Sequence, residues 1–161
     1  MIILKRYGLP PIIGAAVYSI LYAVSPQGRF LGWGLLLSLL FAYLVRVCDD
    51  IGDYKRDLSR GKAVLSLPLL TAMGGALLLS YIITAISTAG YLTLLPLALL
   101  LLQFAIPERY RDLIKPTFMP AAVITLAYEF FRLNVWVWIF VGILILSDLI
   151  LIIFKQRREK E

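Results

Sequence analysis

Residues 64–87 read VLSLPLLTAMGGALLLSYIITAIS, a run that contains no charged side chain. A helix needs about 20 apolar residues to cross the hydrocarbon core of a bilayer, and this run is longer. The rest of the chain is similar, because 61% of the 161 residues are hydrophobic, 16% are charged and the mean hydropathy is +0.87. A soluble domain of this size has too small a core to bury so much apolar surface. We therefore expect an integral membrane protein.

Five further apolar stretches qualify, or nearly qualify, as membrane spans. The six predicted spans are residues 9–24, 30–47, 64–87, 91–106, 117–131 and 135–154, and the fourth and fifth are short. Most of them are separated by short polar or Gly- and Pro-containing breaks. The sequence thus predicts an all-α fold, a polytopic bundle of about six transmembrane helices that forms a single transmembrane domain over residues 1–161.

The basic residues alternate between the two sides of such a bundle. With the N-terminus in the cytosol, only Arg29 and Arg132 fall on the far side. The cytosolic segments hold the other fourteen: Lys5, Arg6, Arg46, Lys55, Arg56, Arg60, Lys62, Arg109, Arg111, Lys115, Lys155, Arg157, Arg158 and Lys160. This distribution follows the positive-inside rule and predicts that both termini are cytosolic. A cleaved signal peptide is the alternative for the first span, but the charge alternation works best if that span is retained.

The residue types that are rare or missing exclude several kinds of catalytic and metal site. The chain has no histidine, which removes the commonest general base and the commonest zinc ligand. Cys48 is the single cysteine, so there is no internal disulfide and no thiol metal cluster. The net charge of +6 indicates contact with anionic lipid headgroups rather than with nucleic acid.

An acidic segment follows the second span. Four of the ten acidic residues, Asp49, Asp50, Asp53 and Asp57, fall within residues 49–57. If the helix continues, Asp49, Asp53 and Asp57 are spaced one turn apart and Asp50 joins the same broad face. Such carboxylates repel one another unless a cation compensates them, and oxygen ligands without His or Cys favour Mg²⁺.

Basic residues surround the acidic segment and offer a second source of compensation. They are Arg46, Lys55, Arg56, Arg60 and Lys62. Carboxylates that hold Mg²⁺ beside cations that hold phosphate oxygens suit a metal–diphosphate complex. The plainer interpretation is a solvated loop of mixed charge, but Asp49 and Asp50 directly adjoin an apolar span, where ionisable residues are usually functional.

The run Asp49-Asp50-x-x-Asp53-x-x-x-Asp57 resembles the first aspartate-rich motif of the UbiA superfamily of membrane prenyltransferases, N/D-D-x-x-D-x-x-x-D, and Arg46 fits a common variant. Tyr110-Arg111-Asp112-Leu113-Ile114-Lys115 is similar, more weakly, to a later cytosolic segment of that family. The resemblance implies Mg²⁺-dependent transfer of a prenyl group from a prenyl diphosphate to an acceptor, commonly an aromatic ring, in an all-helical membrane protein.

The resemblance also implies roles for individual residues. Asp49, Asp50, Asp53 and Asp57 would bind Mg²⁺, and the last three of these would be catalytic. The diphosphate would be bound by Arg46, Lys55, Arg60, Lys62, Arg111 and Lys115.

The chain departs from the family in its later half. The second aspartate-rich motif has no counterpart, because the acids after Lys115 are only Glu129, Asp148, Glu159 and Glu161. Three interpretations stay open: a second membrane subunit supplies the motif, the chain forms a homodimer, or it is a non-catalytic subunit or lipid-diphosphate binder with half a site. Polyprenyl-phosphate sugar-phosphate transferases also carry an Asp-Asp pair at a cytosolic span end, but the absence of histidine counts against them.

Overall fold

The structure is a computed structural model, and it describes residues 2–24, 32–59, 61, 65–107, 110–111, 114–131 and 133–158. These residues form helices and turns and include no strand, so the predicted all-α fold is confirmed for this part of the chain. The long helices are α1 (Ile2–Val24), α2 (Gly32–Gly52), α4 (Leu67–Thr88) and α7 (Val135–Arg158), and α3 (Tyr54–Ser59) is a short helix after α2.

The fourth and fifth apolar stretches form shorter helices than the others. A 3₁₀ turn at Tyr91–Leu94 leads into α5 (Leu95–Leu102), and a second one at Lys115–Thr117 leads into α6 (Phe118–Phe130). At 1.5 Å per residue, the 13 residues of α6 extend only about 20 Å. Pro68 and Pro96 lie in the first turns of α4 and α5, where the missing N–H has no helical partner to lose.

The core lies where α1, α2 and α6 meet. Tyr18 and Leu21 of α1, Leu37 and Phe41 of α2 and Val123 of α6 are almost completely buried there. Helix α4 packs on the opposite side of α2, and α7 packs on α6. Helix α2 is therefore the central element, and its C-terminal end carries the acidic segment.

Helices α1 and α2 approach each other closely at Gly14. A Cβ atom built on Gly14 would stand 2.8 Å from the backbone oxygen of Ser38. The Ser38 hydroxyl donates a hydrogen bond to the Gly14 carbonyl oxygen across the same crossing, at 2.8 Å. Only glycine fits at this point, and the close contact fixes the position of α1 beside α2.

Within the described residues, two helices are long and apolar enough to cross a bilayer, over Tyr7–Val24 and Leu67–Thr88. Only 28% and 17% of these windows are buried inside the protein, so neither is the enclosed core helix of a soluble domain. Leu79 and Ile83 of α4, for example, are 62% and 64% exposed. Shorter apolar helical segments cover Tyr91–Ala105, which includes the 3₁₀ turn and α5, and Val135–Ile150.

Candidate functional site

The acidic segment runs from the last turn of α2 into α3 with almost no break in the helical hydrogen bonding. The amide of Asp53 donates to the Asp49 carbonyl oxygen and the amide of Asp57 donates to the Asp53 carbonyl oxygen, both at 2.9 Å. Asp49, Asp53 and Asp57 therefore follow one another at successive turns, as their spacing predicts. Asp50 and Asp57 are buried, whereas Asp49 and Asp53 are half-buried.

Asp50 joins α1 to α2 through a buried hydrogen-bond network. One carboxylate oxygen accepts a bond from the Tyr7 hydroxyl at 2.5 Å, and the other accepts one from Nη2 of Arg46 at 2.6 Å. Asp50 itself is 1% exposed. A buried carboxylate is tolerated when donors satisfy its oxygens, and here both oxygens are satisfied. Asp50 thus holds the Arg46 guanidinium in place.

Tyr7 is a site residue that the sequence analysis missed. The first apolar stretch begins at Leu9, so Tyr7 stands outside the predicted span, whereas α1 begins at Ile2 and carries Tyr7 on its second turn. Its partner Asp50 lies 43 positions along the chain, and no local pattern connects the two. The one sequence feature that could have indicated a role for Tyr7 is its position next to the basic pair Lys5-Arg6, at the predicted cytosolic end of the helix.

Two basic residues from the later part of the chain, Arg111 and Lys115, reach the end of α2. Their predicted contact with a diphosphate stays a prediction. The Lys115 ammonium lies 3.1 Å from a carboxylate oxygen of Asp49. The Arg111 guanidinium donates to the Gly52 carbonyl oxygen at 3.4 Å. Both residues are about 60 positions from their partners, so the fold, and not local sequence, brings them to the acidic segment.

The remaining predicted site residues fall into three groups. Asp53 forms an ion pair with Arg56 on the neighbouring turn. Lys55 is exposed. Arg60 and Lys62 lie outside the described residues. Their predicted contacts with Mg²⁺ or diphosphate stay predictions.

An apolar groove opens beside Arg46 and Asp49, and we call it the first groove. It has a volume of about 300 Å³ and lies between α1, α2 and the start of α6. Its apolar wall is formed by Leu9, Pro10, Ile13, Ala42, Val45 and Met119. An elongated apolar molecule with a charged head matches this lining.

A second groove of about 260 Å³ adjoins the first and shares Val45, Asp49 and Met119 with it. Lys115, Pro116, Phe118 and Asp148 of α7 complete its lining. Asp49 thus faces both grooves, with Arg46 beside it in the first and Lys115 beside it in the second.

The carboxylates fit a magnesium ion only in part. Among the described residues, no three Asp, Glu or Cys side chains are grouped so that they could hold a metal ion together. Mg²⁺ commonly uses one or two carboxylates and completes its shell with water and substrate phosphate oxygens. Asp49 and Asp53 are half-buried and one turn apart, and each gives one oxygen to a cation, Lys115 or Arg56, so the other oxygen fits that smaller set. Both oxygens of Asp50 already bond to Tyr7 and Arg46.

Comparisons of the chain with protein families, with curated proteins and with solved structures found no match.

Proposed function

We propose that this chain is a polytopic membrane protein that binds a prenyl diphosphate together with Mg²⁺ and transfers its prenyl group to an acceptor. The observation that carries the proposal is the first groove, whose apolar wall ends at Arg46 and Asp49. A prenyl chain matches the wall, and a diphosphate with its cation matches the charged end. The resemblance of the acidic segment to the UbiA motif points to the same class of ligand.

The proposed topology has six spans with both termini and the acidic segment in the cytosol. Contacts between distant helix ends support it, because each one joins ends that this topology puts on the same side. Tyr7 with Asp50 and Lys115 with Asp49 are such contacts at the cytosolic end. At the other end, the Asn134 side chain donates to the Val24 carbonyl oxygen at 3.0 Å. The exposed apolar surfaces of α4 and α7 suit a lipid environment.

The charge balance of the site is the reason for including Mg²⁺. Arg46 is paired with Asp50 and Lys115 with Asp49, so these cations are already offset by carboxylates of the same chain. A diphosphate brings several negative charges into an apolar groove, and such charge must be compensated. Asp49 and Asp53 would hold the ion. When bound, Mg²⁺ offsets the charge of the departing diphosphate.

The chain's own side chains bind the headgroup and exclude water. Arg46 lines the charged end of the first groove, and we assign to its guanidinium a charge-assisted hydrogen bond to a phosphate oxygen. Lys115 adds a second cation on the neighbouring side of Asp49. The apolar groove wall would keep water from C1 of the prenyl group while its bond to the diphosphate oxygen breaks.

Thermal unfolding of the purified chain in lipid nanodiscs tests the binding step. Farnesyl diphosphate and Mg²⁺ together should raise the Tm, since a ligand at a hundredfold excess over its Kd stabilises the folded state by about 2.7 kcal/mol. Neither ligand alone, nor farnesol with Mg²⁺, should do so. Asp49→Asn should lose the shift, and Glu129→Gln, which removes a carboxylate far from the groove, should keep it. Equal shifts with farnesol and with farnesyl diphosphate would contradict the proposal.

A non-catalytic binder of a lipid diphosphate is the second candidate. It is favoured by the pairing of Asp49, Asp50 and Asp53 with cations of the same chain, which leaves few carboxylate oxygens for a catalytic metal cluster. Release of pyrophosphate from farnesyl diphosphate separates the two candidates. Mg²⁺-dependent release that Asp49→Asn abolishes supports the transferase. A Tm shift without any release supports the binder.

A further inference from the structure

Asp148 is a carboxylate that the proposed prenyl transfer does not use. It lies in α7, ten residues before the last residue of that helix, and its neighbours in sequence are almost all apolar. It is half-buried and lines the second groove together with Lys115 and Asp49. No hydrogen bond or ion pair joins Asp148 to any other residue that the structure describes.

The charges that line the second groove do not balance. Lys115 pairs with Asp49 at 3.1 Å, and Arg46 of the adjoining groove pairs with Asp50 at 2.6 Å. Asp148 remains as a carboxylate in excess, and it stands beside Val45, Pro116, Phe118 and Met119. An ionisable residue within an apolar helix is costly unless a partner of opposite charge or a hydrogen-bond donor compensates it. A cation or a hydrogen-bond donor in the groove would supply that compensation.

The composition of the groove restricts what that partner is. In the second groove a divalent metal ion would find only Asp148 and the Lys115-paired Asp49, and no phosphate group is proposed there to complete its coordination shell. A protonated primary amine needs one carboxylate and gives it a charge-assisted hydrogen bond. The apolar side chains of the groove then require that the amine is attached to an apolar chain.

We infer that the second groove binds the protonated amine of an amphiphile, with the ammonium on Asp148 and the apolar chain against Val45, Phe118 and Met119. This ligand would lie next to the prenyl diphosphate, because the two grooves share Asp49. The inference goes beyond prenyl transfer and rests only on the membrane location that we propose. It can be tested without Mg²⁺ and without any diphosphate, so its failure is distinguishable from failure of the proposed function.

The test measures binding of dodecylamine to the full chain in phosphatidylcholine nanodiscs, by the concentration dependence of the Tm. Dodecylamine should stabilise the wild type, whereas dodecyltrimethylammonium, which has no N–H donor, and dodecanol, which has no charge, should do so much less. Loss of a hydrogen bond to a charged group corresponds to about a tenfold loss of affinity or more. Asp148→Asn should therefore bind dodecylamine at least about tenfold more weakly.

Two further variants make the result decisive. Glu129→Gln removes the same charge from α6 outside both grooves and should bind dodecylamine like the wild type. Asp148→Glu keeps the carboxylate and should retain most of the binding. If Asp148→Asn does not fold, Asp148→Glu is compared instead with Met119→Trp. The tryptophan fills the groove and should abolish dodecylamine binding. Equal binding by wild type and Asp148→Asn, or equal loss in Glu129→Gln, would overturn the inference.

The lipid composition of the nanodiscs distinguishes a lipid headgroup from a free amine amphiphile as the ligand of the groove. Nanodiscs that contain phosphatidylethanolamine should weaken dodecylamine binding to the wild type but not to Asp148→Asn if a lipid headgroup is the ligand. Undiminished binding in these nanodiscs would assign the groove to an amine amphiphile other than that lipid.

Discussion

Asp50 is the carboxylate whose role the structure defines most closely. It accepts hydrogen bonds from Tyr7 and Arg46 and is 1% exposed. Side chains held in this way position their neighbours, so we assign to Asp50 the orientation of the Arg46 guanidinium at the end of the first groove. The half-buried Asp49 is the better candidate for direct contact with a ligand, because it faces both grooves.

The first prediction concerns this network. Asp50→Leu should destabilise the fold by about 3–5 kcal/mol, because it leaves the Arg46 charge half-buried without its partner. Tyr7→Phe removes one hydrogen bond to a charged group and should cost about 1.5–3 kcal/mol. Chemical unfolding in detergent micelles measures both. Tyr128→Phe, which removes a hydroxyl from an exposed side chain of α6, is the control. A Tyr7→Phe variant as stable as the wild type would contradict the network.

Features that depend on local helix geometry could be predicted from the sequence, whereas contacts between helices could not. The one-turn spacing of Asp49, Asp53 and Asp57 follows from local helix geometry, so it could be read from the sequence. The contact of Tyr7 with Asp50 depends on how α1 packs against α2, and no pattern within either helix contains that information. Asp148 was visible as an isolated acid in an apolar helix, but which groove it lines depends on the packing of α7.

Helix packing is decided at a few close contacts, and the crossing of α1 with α2 at Gly14 is the clearest. A side chain larger than hydrogen at Gly14 would meet the backbone of Ser38 and Leu39. Backbone atoms cannot rotate away as a flexible side chain can, so α1 would have to move off α2. That movement would also displace Leu9, Pro10 and Ile13, which form one wall of the first groove.

The second prediction tests this crossing. Gly14→Ala should destabilise the protein by about 1–3 kcal/mol, as expected for overpacking. Gly8→Ala lies on the same helix with open space around its added Cβ atom, and it should be neutral or slightly stabilising. Thermal unfolding of both variants in the same micelles gives the comparison. Similar Tm values for Gly14→Ala and Gly8→Ala would show that the close approach does not contribute to stability.

The third prediction concerns the ion pair that joins α2 to the 3₁₀ turn before α6. Lys115 and Asp49 keep 26% and 31% of their side chains exposed, so solvent screens the pair. A double-mutant cycle of Asp49→Asn and Lys115→Gln should give a coupling energy of about 0.2–1 kcal/mol, as for other exposed pairs. The cycle is measured by chemical unfolding at low salt. A coupling of zero would mean that the 3₁₀ turn is held at α2 by apolar contacts alone.

The existence of the helices could be predicted from apolar runs, but their ends could not. Helix α1 begins about two turns before Leu9, because the polar residues Lys5, Arg6 and Tyr7 continue it beyond the apolar run. The stretch 91–106 does not form one helix, since Gly90 at φ +127° and the following 3₁₀ turn precede α5. Apart from Thr93 and Gln103 its side chains are apolar, so hydropathy gives no sign of this interruption.

Across the whole molecule, the proposed topology gives a fourth prediction. The single cysteine is buried, so Cys48→Ala provides a background for labelling with a membrane-impermeant maleimide. In sealed right-side-out vesicles, Tyr91→Cys should react directly, because Tyr91 is 78% exposed and lies at the proposed far end. Lys55→Cys, at the cytosolic end, should react only after permeabilisation. Reaction of both positions from the same side would contradict the alternation of six spans.

The central claim is that an apolar chain lies in the first groove with its diphosphate at Arg46 and Asp49. A farnesyl diphosphate analogue that carries a benzophenone on its last isoprene unit tests it most directly, through photocrosslinking and mass spectrometry of the labelled peptides. We predict Mg²⁺-dependent crosslinks to Leu9–Ile13 of α1 and to Met119 of α6, and their loss in Asp49→Asn. Crosslinks spread over the exposed faces of α4 and α7, and independent of Mg²⁺, would contradict the claim.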